Sequence, residues 1–168
     1  DDGLAHNHVN CILADRNGLM WFGTRNGVCR YDGYSMNVYT QSKGDTEGLP
    51  NNFISSVFQD SEGRIWVGSD KGAARYTPIT DSFSLCEGIE GMVVTSFAEN
   101  SEGTVFCAAA GNLYRLAGDN RFEPVTYGLN NHPITPVNVI AVDHNDNLWI
   151  GARNGLTSYD PTFTTRNH

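Results

Sequence analysis

One motif recurs four times in this chain of 168 residues and constrains its fold more than any other feature. Its clearest copy runs from Asp60 to Tyr76, with a glycine before and after a central tryptophan. The four copies place an aromatic ring at the same motif position, at Trp21, Trp66, Phe106 and Trp149, which are 45, 40 and 43 residues apart. A period of about 43 residues with a ring and paired glycines is typical of propeller blades or of another repeat array.

The second copy predicts a unit of four antiparallel strands. Residues 54–59 carry apolar groups on both faces, which favours an inner strand clamped between neighbours. The run 60–63 predicts a tight hairpin, because Asp60 can accept backbone N–H groups and Gly63 can take a positive φ. Further strands are expected at 64–68, 73–76 and 81–85. Four short strands make one blade, and no segment has helical periodicity, so we predict an all-β propeller.

The repeat divides residues 1–168 into about four blades. Their predicted limits are about 4–48, 49–88, 89–128 and 129–168, with the last strand of the fourth expected to be cut short at His168. A ring of seven or eight such blades needs roughly 300 to 350 residues, so we expect this chain to form part of one. The apolar faces of the two terminal blades would then be covered by the rest of the propeller or by a second copy, which predicts a homo-oligomer.

The charge balance narrows the classes of partner. The chain has 11 Lys and Arg against 19 Asp and Glu, a net charge of −8. An acidic chain is repelled by phosphate backbones and by anionic membrane surfaces, so we expect no nucleic-acid partner. No run of 18 apolar residues is present, and no direct membrane insertion is predicted.

The cysteines are predicted to be core residues. Cys11, Cys29, Cys86 and Cys107 lie within or beside apolar strand-like runs, and no two of them form a CxxC pair. This pattern favours small buried side chains on strands over a zinc site. A disulfide remains open if the compartment is oxidising.

Several segments resemble a known repeat family. Residues 3–12, 15–24 and 27–34 resemble the two-component regulator propeller repeat, and so do residues 48–52 together with 65–68. More narrowly, the opening is similar to the first blade of the sensor half of hybrid two-component systems, which combine a histidine kinase with a response regulator in polysaccharide-degrading bacteria. The resemblance extends over nearly the whole chain.

The resemblance implies a function without implying a site. It suggests a periplasmic, ligand-sensing segment of an inner-membrane sensor, with no enzymatic activity and no cofactor of its own. The ligand would be an oligosaccharide released from glycans. The repeat motif defines blades, so the resemblance carries no binding residue onto this chain.

The repeated polar and aromatic residues are interpreted as scaffold. Asp15, Asp60 and Asp143 lie six residues before the ring, one more than in the Asp box of sialidase propellers, and are predicted to form turns. A calcium loop is rejected because the acidic run is short and has no distal Glu. Residues that recur at one strand position are expected to pack between blades. Those residues are Trp21, Trp66, Trp149, Arg30, Arg75 and Arg115.

Ligand contacts are predicted where the copies differ. The second hairpin of each blade and the connections between blades are expected to open on one face, and amides and Arg groups there suit sugar hydroxyls and carboxylates. The predicted ligand-binding residues are Arg25, Asn26, Asp70, Lys71, His132, Arg153 and Asn154, with Asn51, Asn52, Asn130 and Asn131 beside them.

No catalytic or metal-binding residues are predicted. There is no GxSxG motif and no cysteine beside a plausible histidine base, and the histidines lack metal-ligand spacing. Two alternatives to a sensor remain. One is a propeller-type polysaccharide lyase or glycosidase, and the other is a protein-interaction scaffold without a small ligand.

Overall fold

The chain folds into β-strands joined by short turns. The computed structural model describes residues 3–41 and 48–167, and in these two ranges it contains strands and no helix. It follows that the described residues include no helix long and apolar enough to cross a membrane. The predicted all-β class is confirmed.

Sixteen of the eighteen strands in these two ranges form four sheets of four strands each. The first sheet contains β1 (Val9–Ala14), β2 (Met20–Thr24), β3 (Gly27–Tyr31) and β4 (Met36–Tyr39). The second contains β5 (Ile54–Gln59), β6 (Ile65–Ser69), β7 (Gly72–Thr77) and β8 (Ser82–Leu85). The third contains β9 (Val94–Glu99), β10 (Val105–Ala109), β11 (Asn112–Ala117) and β12 (Arg121–Pro124). A small hairpin of β13 (Thr126–Tyr127) and β14 (His132–Pro133) precedes the fourth sheet. The fourth contains β15 (Val139–Val142), β16 (Leu148–Ala152), β17 (Gly155–Tyr159) and β18 (Arg166–Asn167).

The four sheets are arranged as propeller blades. Each is an antiparallel meander in which strands adjacent in sequence are also neighbours in the sheet. The first strands β1, β5, β9 and β15 lie beside one another in that order, so the sheets fan out from a common axis. The predicted propeller fold is confirmed. The blade limits and the total of seven or eight blades stay predictions, and the stretch 42–47 and His168 lie outside the described residues.

The core lies between the sheets. One apolar cluster joins Trp21 and Val28 of the first sheet to Val67 and Tyr76 of the second. A second cluster joins the second and third sheets around Trp66, and a third joins the third and fourth sheets around Phe106. Because side chains alternate along a strand, the central strands supply apolar groups to two junctions at once. All five residues of β6 are buried for this reason.

The hairpin acids form turns as predicted, and they also hold the neighbouring tryptophan. Asp60 Oδ1 accepts the Arg64 N–H at 2.9 Å, and Gly63 takes a φ of 84°. In addition, Asp60 Oδ2 accepts the indole N–H of Trp66 at 2.8 Å. The same bond joins Trp21 to Asp15 at 2.9 Å and Trp149 to Asp143 at 2.8 Å. The six-residue offset therefore places a carboxylate beneath each indole, an interaction that the sequence analysis missed.

The cysteines behave as core residues. No disulfide joins the four, all of which lie in the described part of the chain, and three of them are buried. Burial raises the pKa of the Cys11 thiol to about 11 and that of Cys86 to about 12, and it also raises the pKa of Cys107 well above its usual value. At neutral pH these thiols are protonated and unreactive.

Candidate functional site

The turn between the second and third strands of each sheet lies next to the connection that enters that sheet. Arg25 N donates to His8 O at 3.3 Å, and Asp70 N donates to Phe53 O at 3.3 Å. In the third sheet Ala110 N donates to Val93 O at 2.9 Å. We call this side of the four sheets the upper edge. The hairpins that carry the repeated acids lie at the opposite, lower edge.

Six of the seven predicted ligand-binding residues lie in these upper-edge turns. The first sheet contributes Arg25 and Asn26, the second Asp70 and Lys71, and the fourth Arg153 and Asn154. All are exposed except Asp70, which is half-buried. The Arg25 guanidinium lies 6.0 Å from the centroid of the Phe53 ring. The structure therefore presents both amides and cations to solvent along one edge.

The third sheet contributes no polar side chain to the upper-edge turns. Its upper turn consists of Ala110 and Gly111, so it offers no side chain that could bind a polar group. Consequently Lys71 and Arg153 belong to turns that are separated by a whole sheet. A small ligand could touch the residues of the first and second sheets together, but not all six.

His132 does not join the other six residues. It lies in the β13–β14 hairpin, where it pairs with Tyr127. Gly128 N donates to Phe163 O at 3.0 Å, and Tyr127 packs on Tyr159 with ring centroids 5.2 Å apart. These contacts lie at the end of β17 that points away from Arg153 and Asn154. The hairpin part of the connection thus lies along the outer edge of the fourth sheet, while the later part returns to the upper edge, where Val137 N donates to Gly111 O at 2.9 Å.

A cleft of about 230 Å³ lies at the upper edge beside one predicted residue. Lys71 and Glu90 give it one charge of each sign, and Gln41 and Pro50 form the wall from the preceding connection. Gln41 Nε2 donates to Pro50 O at 3.1 Å within this wall, and Gly91 N donates to Lys71 O at 3.1 Å on the opposite side. We call this space the upper cleft.

A larger cleft of about 380 Å³ lies at the lower edge between the first and second sheets. The first sheet contributes Leu19, Trp21 and Arg30, and the second contributes Arg64 and Tyr76. A cleft of this volume is within the usual range for small-ligand sites. We call it the lower cleft. Sequence reasoning missed it because most of its residues belong to the repeated motif.

The Arg30 guanidinium at the lower cleft is held in a network of two tyrosine hydroxyls and one carboxylate. Arg30 Nη1 donates to the Tyr76 hydroxyl and to Asp81 Oδ1, the latter at 3.2 Å. Asp81 Oδ1 also accepts the hydroxyls of Tyr39 at 2.6 Å and Tyr76 at 2.7 Å. These two bonds, with a smaller contribution from Arg30, hold the pKa of Asp81 below its usual value. Burial and the bond to Asp81 raise the pKa of both tyrosines, so their hydroxyls stay protonated.

One difference between the copies of the motif explains why this cleft is open. At the second junction Arg64 lies over the Trp66 ring at 5.4 Å, and its Nε donates to Asp60 at 2.6 Å. The corresponding position in the first copy is Leu19, which has no such reach. This exchange of Arg for Leu was the available sequence signal for the cleft.

The described residues contain no group of three or more His, Cys, Asp or Glu side chains arranged to hold a metal ion. The two clefts combine apolar walls with a few amide, guanidinium and carboxylate groups, the usual means of orienting a polar ligand.

A family model matches two segments of the chain. Residues 3–26 and 48–71 match the two component regulator propeller family. Each matched repeat begins in a connection and ends in an upper turn, and so includes Arg25 and Asn26 in one case and Asp70 and Lys71 in the other. No curated protein matches the chain.

Solved structures from B. thetaiotaomicron share the architecture of these repeats. The extracellular domain of the proposed hybrid two component system BT3049 is 26% identical with a TM-score of 0.68, covering 94% of this chain and 22% of that one. The extracellular domain of BT4673, described as a one component system, is 20% identical with a TM-score of 0.78, covering 96% and 25%. The chain therefore spans about a quarter of the length of these relatives.

Propeller enzymes share the fold as well. A virginiamycin B lyase from Staphylococcus aureus is 15% identical with a TM-score of 0.68, covering 98% of this chain and 57% of that one. At this identity the likeness concerns the fold alone and carries no catalytic residue over to the repeats described here.

Proposed function

We propose that this chain is a non-catalytic, ligand-sensing propeller segment from the periplasmic part of a hybrid two-component sensor. The observation that carries the proposal is the match of two repeats to the two-component regulator propeller family. The likeness to the BT3049 extracellular domain over 94% of the chain supports the same class. On this basis the signalling parts belong to other regions of the parent protein.

The proposed ligand is an oligosaccharide from glycan breakdown. Its hydroxyl groups would bind the amides and guanidinium groups of the upper turns, and an acidic sugar would pair with Arg25 or Lys71. These side chains are exposed and lie in neighbouring turns, so one ligand can reach both sheets.

The clefts suggest how binding could be transmitted. The lower cleft has Arg30 from one sheet and Tyr76 from the next, and the upper cleft joins two successive connections. A ligand that contacts two sheets at once favours one packing of that junction over others, and a junction can pass this preference on to whatever it contacts.

Titration calorimetry and thermal-shift measurements against a panel of neutral and acidic oligosaccharides test the proposal. Two variants distinguish binding at the upper cleft from binding at the lower cleft. Lys71→Ala removes the cation of the upper cleft. Leu19→Arg copies the second motif, so that the new guanidinium can lie over Trp21 and pair with Asp15 as Arg64 does with Asp60.

We expect Lys71→Ala to weaken binding and Leu19→Arg to leave it unchanged, because the proposed ligand contacts the upper turns. The opposite pattern would assign the ligand to the lower cleft and contradict binding at the upper turns. Absence of binding by the parent chain across the panel contradicts the oligosaccharide part of the proposal and favours the interaction scaffold. Release of unsaturated or reducing sugar ends from a glycan panel by the purified chain contradicts the non-catalytic part and favours the lyase or glycosidase.

A further inference from the structure

The four copies of the motif differ at the residue that follows the hairpin acid or amide by four positions. In the second sheet this residue is Arg64, whose Nε donates to Asp60 Oδ2 at 2.6 Å, beside the bond from the Trp66 indole. In the fourth sheet it is Asn147, whose Nδ2 donates to Asp143 Oδ2 at 3.1 Å. In both copies the Oδ2 atom therefore accepts a second side-chain bond in addition to the indole N–H.

The first copy lacks this second bond. Leu19 stands at the position, and its side chain ends at Cδ, one atom before the place where an arginine carries Nε. Among the described residues, Asp15 Oδ2 accepts the Trp21 indole N–H at 2.9 Å and no other side-chain donor. Asp15 is 8% exposed and forms no ion pair with a described residue. A carboxylate oxygen can accept two bonds and a buried charge is normally paired, so Asp15 is suited to a positively charged donor.

The lower cleft brings Asp15 together with a second carboxylate. Asp15 lines the cleft from the first sheet and Glu62 lines it from the second, and 68% of the Glu62 side chain is exposed. Leu19, Ile65 and Pro78 add apolar surface to the same cleft. The volume of about 380 Å³ has room for a planar cation together with a short hydrocarbon chain.

The charges around the lower cleft favour a cation. The two guanidinium groups that line it are already paired, since Arg30 bonds to Asp81 at 3.2 Å and Arg64 bonds to Asp60 at 2.6 Å. The Asp15 carboxylate is therefore not balanced by a positive charge within the described part of the chain. The chain as a whole has a net charge of −8, so its field attracts cations and repels anions.

We propose that the lower cleft is a second ligand site, which binds a small molecule carrying a guanidinium group on a short apolar chain. The guanidinium donates to Asp15 Oδ2, as arginine does in the second copy, and its remaining N–H groups reach Glu62. The chain of the ligand packs on Leu19 and Pro78. A planar guanidinium presents its N–H groups in a fork and bonds two carboxylates at once, which an ammonium group does less well.

This site differs in ligand and in position from that of the proposed oligosaccharide. The oligosaccharide contacts turns at the upper edge, whereas the guanidinium ligand lies at the lower edge. Because Asp15 and Glu62 belong to different sheets, the ligand joins the first sheet to the second and stabilises the folded chain. Neither ligand requires the other, so the two proposals fail independently.

Indole N–H signals report on the site directly, because the Trp21 N–H donates to the same Asp15 oxygen. The full chain is labelled with nitrogen-15, and the signals of Trp21 and Trp149 are assigned with Trp21→Phe and Trp149→Phe. Probes of similar shape and different charge are titrated at constant ionic strength. The cations are butylguanidine and butylamine, the neutral probe is butylurea, and the anion is pentanoate.

We expect butylguanidine to shift the Trp21 signal saturably, with a dissociation constant on the order of 1 mM, as suits so small a ligand. Butylamine should bind more weakly, and butylurea and pentanoate should leave the signal in place. The Trp66 signal should not move, because Asp60 already bonds Arg64. The melting temperature should rise with butylguanidine and not with butylurea.

Two variants at one position provide the matched control. Leu19→Arg supplies the guanidinium from the chain itself and should weaken the binding of butylguanidine by at least about tenfold. It reproduces the arrangement around Asp60, so the variant is expected to fold. Leu19→Met keeps an apolar side chain of similar volume and should keep the dissociation constant within about twofold of the parent value.

Three results would overturn the proposal. One is a Trp21 signal that butylguanidine does not shift saturably, or that shifts together with that of Trp66. Another is an equal shift by butylurea or pentanoate, since the cleft would then select a shape or an anion instead of a cation. The third is equally tight binding of butylguanidine by the Leu19→Arg variant, which would place the ligand away from Asp15.

Discussion

The second and fourth sheets contain the same motif but differ in what surrounds it. In the second sheet the ring of Trp66 is enclosed by the third sheet, and Asp60 beneath it is fully buried. In the fourth sheet Trp149 makes the same bond to Asp143 at 2.8 Å while more than a third of its surface is exposed. The motif therefore builds its local structure without a neighbour. What the neighbour adds is the burial of that structure, and with it most of the stabilisation.

The largest expected difference is in the cost of removing the ring. Trp66→Ala should lower the free energy of unfolding by about 3–5 kcal/mol, because it leaves a cavity in the junction with the third sheet. Trp149→Ala should cost less, about 1–2 kcal/mol, because its outer side borders water. Urea unfolding of the two variants checks the comparison. Equal costs would mean that the ring stabilises its own sheet instead of the junction.

A second comparison concerns the glycine two residues after the ring. A Cβ on Gly68 would lie 2.4 Å from Ser56 Oγ and 2.8 Å from Val94 Cγ1 of the next sheet. Gly68→Ala should therefore destabilise by about 1–3 kcal/mol through overpacking. A Cβ on Gly151 would meet Val139 Cγ1 alone, at 2.7 Å, and that exposed side chain can rotate away. Gly151→Ala should lower the melting temperature much less. A larger shift than for Gly68→Ala would show that contact with the next sheet does not set the cost of the added methyl group.

The third comparison uses the third sheet as a natural double variant. There Asn100 and Phe106 replace the acid and the indole together. Asp60→Asn alone would point amide hydrogens at the indole N–H of Trp66 and at Arg64, and Trp66→Phe alone would leave a buried carboxylate oxygen with one donor fewer. A double-mutant cycle of these two changes should give a coupling of about 1 kcal/mol or more. The same cycle at Asp143 and Trp149 should give less, and additive effects at both pairs would show that the bond contributes nothing.

Much of the fold could be predicted from the motif. Its spacing predicted the strand 54–59, the hairpin at Asp60 and the packing role of Trp66, because all three depend on local turn chemistry and on alternation. The bond between acid and indole could have been inferred as well. The copies with tryptophan carry Asp six residues earlier, and the copy with Phe106 carries Asn100.

The candidate site was harder to predict, for a physical reason. Turn residues such as Arg25 and Lys71 were placed correctly at one edge, since an antiparallel meander fixes which turns share a side. The position of His132 depends on the path of a long connection that packs on Tyr159 and Phe163, and no short-range rule determines that path. The lower cleft depends on a gap between two sheets, which arises from Leu19 only once its neighbours are in place.

The smallest expected effect is on the pKa of Asp143, the carboxyl that bonds the partly exposed Trp149. The indole N–H of Trp149, followed by the amide of Asn147, lowers the pKa of Asp143 to about 2, below the 3.8 of the unfolded chain. A carboxyl whose folded pKa is depressed stabilises the fold above pH about 4 and loses that contribution as pH falls towards 2.

We expect a carbon NMR titration of the Asp143 carboxyl to give this low value in the parent, and Trp149→Phe to raise it towards 3.8. In the same variant the urea midpoint should depend less on pH between about 4 and 2, since less linkage remains. An unchanged pKa after Trp149→Phe would show that the Asn147 and backbone donors suffice, and that the indole bond is a consequence of the hairpin and contributes nothing to the charge it contacts.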